Sequence, residues 1–472
     1  MMAREQFATG SHDWPPTEAL DAFMSTGWAD TERRELAQLP VAGFAAKRRD
    51  RLRAAFPGER IVVPAGRLKT RSADQDYRFR PHSNYVWLSG DQHAGSVLVV
   101  EPDGDTLFAP PRSRRDNGEF YRSRAGELWV GRRPSLAESA AELGLTTRDV
   151  ADLESALRGT LPTRVLRGVD ADVDALVPAR DDGYAEDELA AVLAELRLVK
   201  DAYEIEQLQL ACDSTARGFA DVVRALDRAK ATSERYLEGT FWRRARTEGN
   251  DVGYHSIVAA GPHATTLHWI ANDGPVRDGD LLLLDAGVET RSLYTADITR
   301  VLPISGHFTP IQRDLYELNR AANDAALAEL KPGAPYRNFH RAAMRVTAYG
   351  LADLGLLPCS AEEALDPAST IYRRWTLCGS GHMLGLDVHD CASARAGEYL
   401  DGTLAPGHVL TVEPGLYFQP DDELVPAAFR GLGYRIEENV LITADGYQLL
   451  SHALPRTAAD VESWMSTVDT TP

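Results

Sequence analysis

Short apolar runs separated by turn residues mark the first 180 or so positions of the chain. IVVPAG, NYVWLSG, SVLVVE, TLFAP and VLRGVD each read as a strand. The basic stretch AAKRRDRLRAAF and the segment LAESAAELG read as helices, and two shorter helices are expected over residues 17–24 and 31–38. Strands and helices alternating at this length predict an α/β unit. At VPARDDGYAED, Pro178, Gly183 and a cluster of acids interrupt the pattern, which places a boundary between domains 1–185 and 186–472. The chain then turns helical, and Ile205, Leu208, Cys212, Phe219, Val222 and Leu226 fall mostly three or four apart, one apolar stripe facing a core. TSERYLEGTFWRRA predicts another helix with Ser233 as its N-cap, and Thr309-Pro310 carries the cap and first-turn pattern of a helix reaching about Leu330. A further helix is expected from Tyr336 to about Leu354. SIVAAG, a hairpin over 281–301, VLTVEPG and GYRIEENVLIT supply strands, so the second half reads as α+β, a curved and largely antiparallel sheet covered by helices.

Composition adds limits. With 472 residues the chain is too long for one ordinary core, and 44% hydrophobic with 26% charged residues is a globular balance. A formal net charge of −19 argues against nucleic acid or an anionic membrane as partner. No run approaches the roughly 18 apolar residues of a membrane span, and MMAREQFATGSHDWPP lacks the apolar core of a signal peptide. Cys212, Cys359, Cys378 and Cys391 lack CxxC spacing and read as reduced thiols, which together with the missing signal predicts a cytoplasmic protein.

The candidate chemistry centres on LLLLDAGVETRSLYTADITR. Four leucines demand a buried strand, yet it runs into Asp285, and Asp297 follows inside TADITR. Two carboxylates drawn together without a cation repel, and one takes up a proton. Three further segments end apolar runs with ligand-type residues: His382 and His389 in GHMLGLDVHD, Glu413 in VLTVE and Glu437 in YRIEENV. Each alone reads as readily as a structural histidine or a solvated edge charge. Counted together, Asp285, Asp297, His382, Glu413 and Glu437 form an oxygen-rich set suited to two divalent ions of the manganese, cobalt or zinc kind.

The succession LLLLDAG, TADITR, GHMLGLDVHD, LTVEPGLY and GYRIEENV closely resembles the pita-bread metallopeptidases, in particular their aminopeptidase P and prolidase branch. LVKDAYEIEQL resembles the segment that opens the catalytic domain in that branch, while AAKRRDRL and TRSADQDYRFRPHSNYVWLSG look like the aminopeptidase P N-terminal domain. The resemblance implies that Asp285 binds one metal, His382 and Glu413 the other, and that Asp297 and Glu437 bridge them, with manganese the foremost candidate. It implies hydrolysis of the bond between an N-terminal residue and a following proline by a hydroxide held between the two ions, with Glu413 as proton shuttle. His268 and His389 match substrate-binding histidines able to donate to the carbonyl oxygen, and Arg435 and Tyr417 match the wall on the proline side. Partners would be peptides with proline second, and the assembly a homodimer or homotetramer whose N-terminal domain limits substrate size.

One position departs from the pattern. Aminopeptidase P usually carries a histidine four residues before the metal histidine, where this chain has Cys378 at the proline-side pocket, expected to be a small buried residue, the alternative being a reactive thiol. Gly385, Gly415 and Gly433 are expected to permit turns or close backbone approach near the ligands. Two alternatives share the same segments: a prolidase restricted to Xaa-Pro dipeptides, and a metal-free hydrolase or binding protein of the same fold.

Overall fold

The computed structural model describes residues 16–180 and 184–469, so residues 1–15, 470–472 and 181–183, with the Gly183 of the expected boundary, lie outside what is described. The chain divides into two compact units between Ala179 and Arg180.

The first unit is built on a five-stranded mixed sheet in the spatial order Thr146–Asp149, Gly104–Ala109, Val97–Glu101, Arg60–Pro64, Thr163–Val165. The three central strands are antiparallel and both edges are parallel, each edge strand entering after a helix. Val62, Val97, Val99, Phe108, Val165 and Val173 close a core on one face.

Three expectations fail here, each for a local reason. NYVWLSG is the helix Ser83–Ser89, not a strand: the His82 ring accepts from the Asn84 N–H at 3.2 Å, Gly90 ends it with φ at 75°, and every residue is buried. A four-residue apolar run has no periodicity that could separate the two. Residues 31–38 form no helix, because their backbone bonds elsewhere. The Arg33 N–H goes to Glu138 and the Leu39 N–H to the Glu142 carbonyl at 2.7 Å, both on the helix Leu136–Leu143, while Glu35 sits at φ 58°. VLRGVD leaves the sheet almost where it was expected to begin: the strand is Thr163–Val165, and Gly168 turns the chain at φ 79°.

In the second unit the helix Ala202–Lys230 opens with a capping box between Asp201 and Glu204 and buries Leu208, Cys212, Phe219, Val222 and Leu226, with Ile205 half-buried. It packs on the helix Glu234–Glu248, where Phe219 and Phe241 meet edge to face at 6.1 Å. Ser233 stands at the N-cap without making the side-chain bond. The Glu234 N–H bonds instead to the Gly274 carbonyl at 2.9 Å. Thr309 and Gln312 form a reciprocal capping box on Pro310–Ala328, and Asn338–Asp353 follows. The strand pairings of this unit are antiparallel. Leu281–Ala286 lies between Ile257–Ala260 and Ile298–Pro303, Val409–Val412 pairs with Glu438–Ile442, and Gly415–Phe418 pairs with Leu432–Arg435. GYRIEENVLIT is therefore two strands serving different partners, with Glu437 at the switch between them. No helix among the described residues is long and apolar enough to cross a membrane.

Candidate active site

Asp285 is the last residue but one of the strand Leu281–Ala286, and register places it opposite Thr299 on one side and Ile257 on the other. Asp297 precedes the neighbouring strand Ile298–Pro303, and its backbone is fixed by Asn439, whose side-chain oxygen accepts the Asp297 N–H at 3.0 Å. Residues 380–384 run antiparallel beside Val409–Val412. The Thr411 N–H donates to the His382 carbonyl at 2.8 Å and the Glu413 N–H to the Ser380 carbonyl at 2.8 Å, which sets His382 and Glu413 side by side. The Glu437 N–H bonds to the Thr299 carbonyl at 3.2 Å, so the fifth ligand candidate is tied to the same hairpin as the first two.

The side chains converge. His382 turns Nδ1 to the Met383 carbonyl at 3.1 Å, which leaves Nε2 facing Asp297 at 3.3 Å and Glu413 at 3.2 Å. Burial alone would push this imidazole down, and the two carboxylates outweigh it, so its pKa is raised well above the usual range. Glu437 is buried and its carboxyl is pushed well up, first by burial and then by Asp297, Glu413 and Asp285. One Glu437 oxygen accepts from the Thr299 hydroxyl at 2.7 Å; the other, Oε1, is buried with no hydrogen-bond partner. Burial also raises Asp285, with the Arg435 guanidinium opposing, and the Tyr254 hydroxyl donates to it at 2.6 Å.

An orphaned carboxylate oxygen among other acids is the signature of a cation site, since without a positive charge each group destabilises the next. Asp297, His382 and Glu437 offer ligand atoms that all lie within 4.8 Å of one another, and the donor set of carboxylates with one imidazole fits hard or borderline divalent ions.

A cavity of about 290 Å³ opens over these groups. Asp285, Asp297, His382, Glu413, Glu437, His268, His389, Arg435, Tyr417 and Cys378 all line it. His389 stands edge-on to His382 with ring centroids 4.4 Å apart, and burial followed by the neighbouring His382 lowers its pKa. Arg435 is buried and spans the floor, donating to the Tyr417 hydroxyl at 2.8 Å, to Thr299 at 3.1 Å and to Asp285. Cys378 is not the buried residue expected. It is exposed and lines the cavity, in the irregular segment that follows the short turn Ile371–Trp375.

Sequence reasoning missed Tyr254, His255, Ile257, Leu267, Ile270, Thr376, Gly379 and Val388, which also line the cavity, and Asn439 and Thr299, which hold the acids in place. Leu267, Ile270 and Val388 add apolar side chains to the lining. The flanking LHWI and VHD patterns contained that signal, whereas Asn439 and Thr299 carried none, being ordinary polar residues inside strands.

Comparison with known proteins agrees with this geometry. Residues 206–444 match the family model of metallopeptidase family M24, and residues 45–165 that of the aminopeptidase P N-terminal domain. The chain is 55% identical over 455 residues to the Xaa-Pro aminopeptidase 1 of Streptomyces coelicolor, covering 95% of this chain and 92% of that one. It is 32% identical over 429 residues to the Xaa-Pro aminopeptidase of Escherichia coli, covering 87% and 94%. Among solved structures, aminopeptidase PepP of Pseudomonas aeruginosa superposes with a TM-score of 0.81 at 30% identity, covering 92% of this chain and 100% of that one. Zinc-substituted Escherichia coli aminopeptidase P in complex with product gives 0.80 at 29%, with the same coverage. With the ligand segments on adjoining strands and both family models matched in order, this chain belongs to metallopeptidase family M24, an aminopeptidase P N-terminal domain followed by a pita-bread catalytic domain.

Proposed function

We propose that the protein is a metal-dependent aminopeptidase that hydrolyses the bond between an N-terminal residue and a following proline. The observation that carries this reading is the convergence of four carboxylates and His382 on one cavity whose buried Glu437 Oε1 lacks a partner. Asp285, Asp297, His382, Glu413 and Glu437 would hold two divalent ions, with manganese the first choice for an oxygen-rich set. Bound there, the ions supply a Lewis acid for the scissile carbonyl and lower the pKa of water toward neutrality.

The chain's own residues do the rest. Glu413 lies beside His382 at the cavity floor, where its carboxylate can take a proton from water and return it to the proline nitrogen as the bond breaks. An amide nitrogen is a poor leaving group until protonated, and the proline nitrogen has no N–H of its own, so the proton it leaves with must be delivered. His268 and His389 are exposed to the cavity and can donate to the carbonyl oxygen as charge develops on it. Arg435, fixed by Asp285 and Tyr417, carries a positive charge to the side where the rest of the peptide lies. Leu267, Ile270 and Val388 give an apolar surface against which a substrate side chain loses water. Cys378, smaller than the histidine common at this place, leaves more room on the proline side.

The placement of the two family matches supports residues 1–185 as N-terminal domain and 186–472 as catalytic domain. Four free thiols support a reducing, cytoplasmic compartment, and a homodimer or homotetramer is the expected assembly. Glu413→Gln tests the proton role: turnover of an Xaa-Pro-Yaa tripeptide should fall by about 10² to 10⁴ while bound metal, measured by mass spectrometry, is retained. Turnover within a few-fold of the parent would remove Glu413 from the reaction.

A further inference from the structure

His389 sits in a loop whose flanking acids are gripped from the far side by cations that never reach the cavity. Asp390, which follows it, is buried, and its Oδ2 accepts from the Lys200 ammonium at 2.8 Å. Lys200 is itself buried and donates also to the Arg197 carbonyl at 2.7 Å. Arg197 reaches Asp387 at 2.9 Å and Asp390 as well, so one guanidinium clasps residues on both sides of His389. Paired this way, Asp390 is held down to about 2 despite its burial, mainly by Arg197 and Lys200.

The loop is built to receive this clamp. A Cβ at Gly385 would lie 2.3 Å from Asp390 Oδ2 and 3.1 Å from the Lys200 stem, so the ion pair packs directly on the glycine backbone. Cys391, next in the chain, is held at φ 61°, a conformation a non-glycine residue adopts only where its surroundings over-determine it. The Asp390 N–H returns to the Met383 carbonyl at 2.9 Å, which closes the loop between His382 and His389.

As a stabilising device the cluster is inefficient. A buried ion pair roughly cancels its own desolvation, and apolar residues of like volume do as well or better. What apolar packing does not provide is directional fixing of one loop residue. We propose that Lys200 and Arg197 are positioning residues for His389: they lock its loop so that the imidazole stands against His382 in the orientation that meets the substrate carbonyl. This rests on the substrate-facing role given to His389 above.

A double-mutant cycle separates the two ideas. Lys200→Met and, as a milder change at a half-exposed acid, Asp387→Asn are each combined with His389→Ala, and kcat/KM is measured with metal content and thermal midpoint as controls for folding. The expected result is a drop of about tenfold for K200M, smaller for D387N, and under about twofold for either in the H389A background, because the residue they orient is gone. Equal losses in both backgrounds, with H389A itself impaired, overturn the positioning role. An H389A variant with the kinetics of the parent overturns the reading of His389, and the proposal with it. If K200M does not fold, the D387N cycle decides between the same outcomes.

Discussion

At His408 the protein buries an imidazole with Nδ1 accepting the Ala405 N–H at 3.3 Å. Burial, and then the nearby Lys200 ammonium, push it down to about 4 from an ordinary 6.5. Between those values the unfolded chain binds the proton and the folded one does not, so stability rises with pH across the window. It is complete above pH 6.5 and lost as pH falls toward 4, at a cost of about 3 kcal/mol. The urea midpoint followed from pH 7 to 4.5 should therefore fall more steeply in the parent than in His408→Gln, which keeps an acceptor without a proton to gain. Equal slopes would place the acid sensitivity elsewhere. This residue was invisible in the sequence, as were Asn439 and Thr299, since nothing in a pattern tells a buried acceptor from a solvated one. The candidate acids and His382 were legible because they interrupt apolar runs, where an ionisable group needs a reason to be, whereas His268 and His389 were singled out only by the family resemblance. Cys378 was legible as a departure but not in its exposure, which depends on a loop that no local preference dictates.

Among the elements, the hairpin from Leu281 to Pro303 carries the most. It carries Asp285 near the end of its first strand and Asp297 just before its second, and the junction of Leu281–Ala286 with Val288–Glu289 needs glycine at 287, where a Cβ would fall 1.7 Å from the Ala296 carbonyl oxygen. That neighbour is backbone one residue from Asp297, so it cannot yield without moving the acid. Gly287→Ala should cost about 4 kcal/mol, read as a lowered denaturant midpoint, and should weaken metal binding in the fraction that folds. A variant of parental stability and metal content would mean the hairpin is looser than its register implies. Elements with several turns or a marked cap, such as Ala202–Lys230 and Pro310–Ala328, were readable from periodicity and capping residues. Ser83–Ser89 and residues 31–38 were not. The first is too short for a period to show, and the second has its backbone claimed by a helix a hundred residues further on.

For the whole molecule, the order of motifs carried what spacing could not. The ligand candidates are spread over about 150 positions, and only the antiparallel pairings of the second unit bring them to one cavity. An acidic chain with net charge −19 concentrates its cost where the acids are buried, which is where a divalent ion would repay it. Family membership and the cavity together make one claim: metal held by those acids hydrolyses peptides with proline second. The direct test is release of the first residue from an Xaa-Pro-Yaa tripeptide, an Xaa-Ala-Yaa tripeptide and an Xaa-Pro dipeptide by protein as purified, stripped with a chelator, and reloaded with manganese. The account predicts cleavage of the Xaa-Pro-Yaa tripeptide well above the other two, abolished by stripping and restored by reloading. Undiminished cleavage by protein shown to be metal-free, or equal cleavage of the Xaa-Ala-Yaa tripeptide, would contradict it.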